Sequence, residues 1–353
     1  MKSPGLAQPD PMAPLLEVRD LSTRFWTARG WVRAVDSVSL VLERGRTLGI
    51  VGESGSGKSV LSRSIMGLAA RQGAVLRGSV RLEGRELVGA SNRELRSLWG
   101  TEMAMVFQDP MTSLNPVVRI GRQITESLQV HLGMDRGPAK ERAVELLRSV
   151  GIPSPERRLR QYPHELSGGM RQRVVIAIAL SCGPKLLLAD EPTTALDVTV
   201  QAQILQLLAD LQAERHMTMV LVTHDLGVVA TRTDDIAVMY AGQIVEKAPT
   251  RTLFKAMKMP YTEALMQSIP KLDQASHTRL RVIAGRPPDL VDVPVGCRFA
   301  PRCPYAQDKC RAEEPPLVEA EAPGHVYKCW FPVSGPPHPL VEGTAPAPPV
   351  GVN

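Results

Sequence analysis

Aromatic residues are scarce in this sequence, at 4% of its 353 residues. The net charge of +6 is modest and is spread along the chain. Because a nucleic-acid surface needs a basic stripe with interleaved aromatic side chains, we do not expect a nucleic acid as a partner. A weak attraction to an anionic membrane face remains compatible with this charge.

Long hydrophobic runs are also missing. The longest, residues 174–182, falls well short of the roughly 18–20 apolar residues that span a bilayer, so we interpret it as a buried helix or strand. The opening residues, MKSPGLAQPDPMAPLLE, contain no apolar signal-peptide core. Secretion is therefore not expected.

Cysteine is sparse and unevenly placed. Only five cysteines occur, and four of them, Cys297, Cys303, Cys310 and Cys329, lie in the last sixth of the chain. Structural disulfides are disfavoured in a protein that is not exported, so clustered cysteines are better interpreted as metal ligands or reactive thiols. No histidine base accompanies them, which makes catalytic thiols the least favoured interpretation.

The order of the remaining patterns predicts an α/β fold. Alternating stretches, LLEVRDLSTRFW and VRAVDSVSLVL, predict strands, and the short apolar runs TLGIVG, KLLLAD and MTMVLVTHD predict buried ones. Two helical patterns are clear, one with Pro138 at its first position and Gly151 at its end, the other with Asp197 as N-cap. The length favours one large domain with an appendage, or two domains.

The string GESGSGKS, which follows a predicted strand, has the spacing of a phosphate-binding P-loop. Glycines let backbone N–H groups point inward where side chains would clash. Lys58 would neutralise the β- and γ-phosphates, and the Ser59 hydroxyl would bind Mg²⁺. The predicted nucleotide contacts here are Gly52, Ser54, Gly55, Gly57, Lys58, Ser59 and Val60.

A pair of carboxylates ends the apolar strand KLLLAD. Asp190 would join the Mg²⁺ shell, and Glu191 is placed to act as a general base on the attacking water. Alone, such a pair is better interpreted as a solvated loop. The P-loop about 130 residues upstream makes the catalytic interpretation the stronger one.

A second anion-binding element is predicted at HELSGGMRQR. Ser167 has N-cap chemistry, and Gly168 and Gly169 leave backbone N–H groups bare at a helix start. Two phosphate-binding surfaces far apart in sequence make sense if two chains face each other and each completes the other's site. Ser-Gly-Gly alone is equally consistent with an ordinary capped helix.

Taken in order, GESGSGKS, VFQDP, LSGG, LLLADE, ALD and THD resemble the nucleotide-binding subunit of an ABC transporter. The resemblance covers roughly residues 15–260 and implies an ABC ATPase domain that binds ATP and Mg²⁺. Such a P-loop NTPase has a RecA-like core, an antiparallel β-subdomain and a helical signature subdomain, here at about 109–180. Residues 1–14 would be a disordered leader.

The resemblance also implies roles for single residues. Gln108 would sense Mg²⁺ and the transmembrane subunit, and would join Ser59 and Asp190 as a magnesium ligand. Ser167, Gly168 and Gly169 would contact ATP held by the opposite subunit.

Three further roles follow from the same resemblance. Asp197 would lie at the dimer interface, and His224 would stabilise the transferring phosphate. Phe25 would stack on adenine, with Trp26 and Trp31 as alternatives.

Longer strings, IVGESGSGKSV, FQDPMTSLNP and LSGGMRQRVVIAIAL, resemble the ATPases of bacterial oligopeptide, dipeptide and nickel importers. That branch ends in a Cys- and Pro-rich extension, assigned here to 261–332, with a disordered tail at 333–353. The resemblance implies a four-iron four-sulfur cluster on Cys297, Cys303, Cys310 and Cys329. Zinc is the alternative, although it usually favours Cys-x₂-Cys knuckles, which are absent from this set.

The implied function is ATP hydrolysis that powers uptake of di- or oligopeptides, with nickel chelates or glutathione-type peptides as alternative cargo. Implied partners are two transmembrane permease subunits, a second ATPase subunit (a paralogue rather than a copy) and an extracytoplasmic binding protein. The chain would lie peripherally on the cytoplasmic face of the inner membrane.

Two rival functions are less favoured. A soluble ABC ATPase acting on DNA or ribosomes usually has a long coiled coil or two ATPase halves, and this chain has neither. A regulator that binds ATP without hydrolysing it would not need Glu191 and His224.

Overall fold

A computed structural model describes residues 13–194, 196–268 and 283–333. Its strands are β1 (Leu16–Thr27), β2 (Gly30–Leu42), β3 (Thr47–Val51), β4 (Val75–Leu82), β5 (Arg85–Glu86), β6 (Met103–Val106), β7 (Leu186–Asp190), β8 (Thr218–Val222), β9 (Asp235–Tyr240), β10 (Gln243–Pro249), β11 (Val318–Glu319) and β12 (Val326–Tyr327). They form one four-stranded and one eight-stranded sheet.

The helices are α1 (Lys58–Ile65), α2 (Leu68–Arg71), α3 (Asn92–Leu98), α4 (Pro110–Ser113), α5 (Ile120–Leu132), α6 (Arg136–Ser149), α7 (Pro155–Arg158), α8 (Gly168–Ala179), α9 (Val198–Arg215), α10 (Leu226–Arg232), α11 (Thr250–Ala256), α12 (Pro260–Gln267) and α13 (Asp308–Ala312). Short 3₁₀ turns lie at Pro163–Glu165 and Ala300–Arg302.

The larger sheet forms the centre of the molecule, in the order β11-β12-β10-β9-β3-β8-β7-β6. Its central strands are parallel, and β3, β7 and β8 are buried at every position. Because successive side chains point to opposite faces, Leu186 and Leu188 pack on one side of the sheet and Leu187 and Ala189 on the other. The continuous apolar runs predicted as buried strands are confirmed.

The smaller sheet is antiparallel, in the order β2-β1-β4-β5. Its apolar face packs with α1 and with one face of the large sheet in a single core cluster. A buried hydrogen bond of 2.7 Å joins the hydroxyls of Thr23 on β1 and Ser64 on α1. The antiparallel sheet is therefore fixed against the helix that follows the P-loop.

Five helices, α4 to α8, lie between β6 and β7, in the part of the chain predicted to form a helical subdomain. Helix α6 begins at Arg136, with Asp135 as N-cap, so Pro138 stands at its third rather than its first position. The first turn of a helix has no partners for its N–H groups, so proline is tolerated throughout it. Gly151, with φ of 71°, follows the helix as predicted.

The region after α12 joins the body of the protein rather than forming a separate unit. Strand β12 pairs antiparallel with β10, through Glu246–Tyr327 and Lys247–Val326, and thereby lengthens the large sheet. A buried ion pair links Arg298 to Asp36 on β2. Helix α12 crosses the predicted boundary at residue 260, and Tyr261 on it is fully buried.

Residues 1–12 of the predicted leader and 334–353 of the predicted tail lie outside the described residues. Of the helices in the described ranges, none combines the length and the apolar character needed to cross a bilayer.

Glu83, in the turn after β4, joins the two sheets. It accepts hydrogen bonds of 2.7 Å from Arg44 after β2 and 2.7 Å from Lys185 before β7. Burial alone would raise the pKa of this carboxyl, but those two hydrogen bonds outweigh it and hold the pKa below its ordinary 4.5. A depressed pKa contributes stability that is present above the unfolded value and is lost as pH falls through the folded value.

We therefore expect Glu83→Gln to lower the free energy of unfolding by about 1–2 kcal/mol at pH 7. The difference from the wild type should shrink as the pH falls below 4.5, the ordinary value. Urea titrations at several pH values measure this. Glu156→Gln, in an exposed pair with Arg148, is the control and should cost less than about 0.5 kcal/mol at any pH. An unchanged difference at low pH would contradict the electrostatic explanation.

Candidate functional site

The P-loop connects β3 to α1, and its backbone has left-handed turns that only glycine adopts without strain. Gly52 has φ of 154° and Gly57 of 102°. A Cβ at Gly52 would lie 2.1 Å from the carbonyl oxygen of Met239, and one at Gly57 would lie 2.2 Å from that of Ala34. The loop therefore keeps its N–H groups open toward a phosphate because two strands press against its other side.

Lys58 is the first residue of α1, and it is almost completely buried, with 4% of its surface exposed. Its Nζ donates to the carbonyl oxygens of Gly52 at 2.9 Å and Glu53 at 3.0 Å, and lies 3.8 Å from Glu191 Oε1. Burial lowers the pKa of this amine, and the Glu191 carboxylate opposes that shift. The two carbonyls and the carboxylate together compensate the buried charge.

Ser59 and Asp190 meet at the end of β7. The Ser59 hydroxyl donates to Asp190 Oδ1 at 2.8 Å, while Oδ2 of this fully buried carboxyl has no hydrogen-bond partner among the residues that the structure describes. Burial raises the pKa of Asp190 above its ordinary value. An orphaned carboxylate oxygen beside a hydroxyl fits the oxygen ligands that Mg²⁺ prefers, so these residues suit the predicted ion.

Glu191 is the point on which the separate motifs converge. Its Oε2 accepts from Gln108 Nε2 at 3.0 Å and from the Thr194 hydroxyl at 3.0 Å, and it lies 3.6 Å from Nδ1 of His224. Its own backbone has φ of 44°, in the left-handed region. Three segments distant in sequence, those of Lys58, Gln108 and His224, thus direct polar groups at this one carboxylate.

The Ser-Gly-Gly element lies on another part of the surface. Ser167 is the N-cap of α8, and its hydroxyl accepts from Met170 N–H at 3.4 Å, as predicted. Gly169 packs against Val200, where a Cβ would come within 2.8 Å of a methyl group. Asp197 caps α9 by accepting from Val200 N–H at 3.0 Å, also as predicted. The start of α8 is thus packed against the start of α9.

The three candidate aromatic residues lie on two faces of the antiparallel sheet. Side chains alternate along β1, so Phe25 shares the face of Thr23, which contacts α1, and Trp26 points to the other face. Trp26 and Trp31 form an edge-on pair with centroids 5.2 Å apart, and Trp26 is 67% exposed. Of the other predicted contacts, Ser54 and Gly55 are exposed and Val60 is half-buried.

Comparison with known proteins agrees with this geometry. A family model described as ABC transporter matches residues 35–194, and one described as Oligopeptide/dipeptide transporter, C-terminal region, matches residues 245–310. The chain is 50% identical over 319 residues to the dipeptide transport ATP-binding protein DppD of Escherichia coli, covering 90% of this chain and 97% of that protein. The chain belongs to the ABC transporter family.

A second relative and a solved structure show which ABC proteins this chain is similar to. It is 51% identical over 318 residues to the oligopeptide transport ATP-binding protein OppD of Bacillus subtilis, covering 90% of this chain and 88% of that protein. Its fold matches the dimeric ATP-binding cassette MJ0796, in a post-hydrolysis state with ADP and phosphate, with a TM-score of 0.60 at 28% identity. That match covers 67% of this chain and 99% of the other. The predictions of an ABC ATPase cassette, of ATP hydrolysis and of the peptide-transporter branch are confirmed.

The prediction for the cysteines of this ABC protein is wrong. All four line one small apolar pocket of about 10 Å³ together with Met259 and several aromatic rings. Yet within the described ranges no group of three or more His, Cys, Asp or Glu side chains is arranged to hold a metal ion. That finding removes both the four-iron four-sulfur cluster on Cys297, Cys303, Cys310 and Cys329 and its zinc alternative.

Burial among apolar side chains sets the protonation state of these cysteines. It raises the pKa of Cys303 and of Cys329 to about 12 and also raises that of Cys297. In this packing these three thiols are therefore neutral at neutral pH. Packed among apolar side chains, they behave as small hydrophobic residues.

Two residues that the sequence patterns did not single out touch the P-loop. Arg302 binds the side chain of Glu53, and the Tyr261 hydroxyl accepts from Glu53 N–H at 2.9 Å. Both come from the segment after residue 260. An isolated arginine in a loop and a tyrosine in a short helix carry no periodic or motif signal, so only the fold reveals them.

The glycines of the P-loop provide a test of this geometry. Gly52→Ala should cost about 3–5 kcal/mol of unfolding free energy, because its Cβ would collide with a β9 carbonyl and its φ is strained. Gly55→Ala has nothing within 4 Å of its Cβ and should cost only the left-handed strain of about 1–2 kcal/mol. Urea unfolding measures both free energies. Equal destabilisation by the two substitutions would contradict the close contact of Gly52 with the Met239 carbonyl.

Proposed function

We propose that this ABC protein is the ATP-hydrolysing subunit of an importer that takes up di- or oligopeptides. The observation that carries the proposal is the convergence of Lys58, Gln108 and His224 on Glu191. The relatives named for dipeptide and oligopeptide transport support the cargo class.

Lys58 and the P-loop N–H groups hold the phosphates. The amine gives up the carbonyls of Gly52 and Glu53 and binds the β- and γ-phosphate oxygens, while the bare N–H groups at the start of α1 face the same charge. Ser59 and Asp190 would hold Mg²⁺, with Gln108 as the third proposed ligand. The ion, when bound, neutralises phosphate charge that builds up during transfer.

Glu191 acts as the general base. Its carboxylate accepts the proton of the attacking water while Gln108 and Thr194 hold it in place through their hydrogen bonds. His224, 3.6 Å away and largely exposed, is free to donate toward the γ-phosphate. The left-handed turn at Glu191 aims the side chain into the site instead of back along the strand.

Two chains form the complete site. Ser167, Gly168 and Gly169 stand at the exposed start of the twelve-residue helix α8, where N–H groups and the helix dipole attract phosphate. Their contact with α9 fixes them relative to Asp197, which we place at the interface. The dimeric form of the related cassette MJ0796 supports this arrangement. The second subunit is a paralogous ATPase.

Phe25 is the adenine partner in this proposal. It lies on the face of β1 that turns toward α1 and the P-loop, whereas Trp26 and Trp31 pair with each other on the opposite face. A ring on the P-loop side is the one that can stack on a base whose phosphates the loop holds.

The membrane partners are two permease subunits, which the segment after Gln108 contacts, and an extracytoplasmic binding protein that delivers cargo to them. The chain is then peripheral, on the cytoplasmic face. Residues 15–260 form the ATPase domain, with its helical subdomain at about 109–180.

Glu191→Gln tests the catalytic role. A general base contributes roughly 10²–10⁴-fold, so ATP turnover should fall at least about a hundredfold. ATP affinity should stay within a few-fold, because Lys58 and the P-loop are untouched. Steady-state phosphate release and nucleotide titration measure these two quantities.

The matched control is Glu214→Gln, at an exposed position in the last turn of α9. It should leave turnover unchanged. Normal turnover in Glu191→Gln would show that the base lies elsewhere.

The cargo proposal is tested in membranes that contain the complete transporter. Uptake of labelled di- and oligopeptides should depend on ATP and should be lost with Glu191→Gln in this subunit. A labelled nickel chelate offered in parallel should not accumulate. Accumulation of the chelate without peptide uptake would assign the transporter to a different cargo.

A further inference from the structure

Glu53 is a P-loop residue whose side chain turns away from the phosphate cradle. Its two carboxylate oxygens accept from the two terminal nitrogens of Arg302, at 2.6 and 2.8 Å. This fork-on-fork pairing is the strongest geometry available to an arginine and a carboxylate. The side chain of Arg302 is 4% exposed and that of Glu53 is 26% exposed, so solvent reaches the pair from the Glu53 side only.

Arg302 is itself fixed in place by the rest of its guanidinium group. Nε donates to the carbonyl of Ala284 at 2.9 Å, and the terminal nitrogens donate to the carbonyl of Ile283 at 3.2 Å and the hydroxyl of Tyr240 at 3.3 Å. Together with the two bonds to Glu53, all five donors of the group have acceptors. The arginine is therefore a rigid support rather than a mobile surface charge.

Glu53 connects this support to the phosphate-binding lysine. Its N–H donates to the Tyr261 hydroxyl, and its carbonyl accepts from Lys58 Nζ at 3.0 Å and from Ser56 N–H at 3.2 Å. Side chain, N–H and carbonyl of one residue are thus all held. A displacement of the Glu53 backbone, which these contacts oppose, would move the carbonyl that orients Lys58.

The support comes from the segment after residue 283. Phe299 lies three residues before Arg302 and packs against Tyr240 and Tyr261, with ring centroids 5.4 and 5.3 Å apart. Tyr240 and Tyr261 pack on each other at 4.5 Å. These three packed rings hold the segment that contains Arg302 beside the P-loop, where Arg302 reaches Glu53.

We propose that Arg302 is a positioning residue for nucleotide binding: the C-terminal segment presets the P-loop by clamping Glu53. The inference rests on the proposed ATPase function and names a residue outside the motifs that serves it. Nucleotide binding and docking of this segment are then coupled, and each strengthens the other.

The test is titration of the full-length chain with ADP and Mg²⁺, which bind without hydrolysis. Arg302→Met should weaken binding about tenfold, a coupling of ordinary size. Arg302→Lys keeps the positive charge but cannot pair with both carboxylate oxygens of Glu53, so it should weaken ADP binding less than Arg302→Met does. In turnover assays the KM for ATP should rise with a much smaller change in kcat, because Glu191 and its partners are untouched.

Glu53→Gln removes the same ion pair by changing its acidic partner, so it should weaken ADP binding to a similar extent. It also tests the proposal if Arg302→Met does not fold. The double variant Glu53→Gln/Arg302→Met should bind no more weakly than either single variant, because both remove one interaction. Losses that multiply in the double variant would overturn the clamp.

Arg298→Met is the matched control. Arg298 is equally buried and comes from the same segment, but its ion pair is with Asp36 on β2 instead of the P-loop. It should leave the ADP affinity within about twofold of wild type. If Arg298→Met and Arg302→Met weakened ADP binding equally, the cause would be looser packing of the whole C-terminal segment rather than loss of the Glu53 contact. That result would overturn the proposal. A wild-type chain that binds no nucleotide would instead refute the ATPase function itself.

Discussion

The buried ammonium group of Lys58 is the constraint on which the site depends. A cation taken out of water needs acceptors on every side, and here two P-loop carbonyls and a carboxylate supply them. The loop must therefore curl around the amine, which demands glycine at positions such as Gly57. The residue after β7, Glu191, supplies the carboxylate, 3.8 Å from the amine.

Electrostatic strain accompanies this arrangement. Asp190 is fully buried, one of its oxygens has no partner among the described residues, and burial raises its pKa. Lys58 is also buried, and its pKa is lowered. Both groups lie in environments that disfavour their charged forms, so in the proposed function part of the binding energy of a magnesium nucleotide would relieve a cost built into the fold.

The sequence predicted most of the cassette, because its buried strands are continuous apolar runs and its loops carry fixed chemical patterns. Asp197 and Ser167 were predicted as helix caps and are caps, since capping needs only a local side chain. The cysteines were misjudged, because spacing shows which thiols are near in sequence and not how they are oriented or desolvated. Arg302 was missed for a related reason: its partner Glu53 lies 249 residues away, and no local pattern records such a pairing.

The hairpin of β11 and β12 has a consequence for the minimum size of a stable cassette. Through Glu246 and Lys247 it occupies hydrogen-bonding positions of β10 that would otherwise be free. A chain ended after α12 would present that strand as an open edge, and open edges recruit strands of other molecules. Such a shortened cassette would self-associate and aggregate, so the natural unit for expression or for exchange between transporters includes the segment through residue 333.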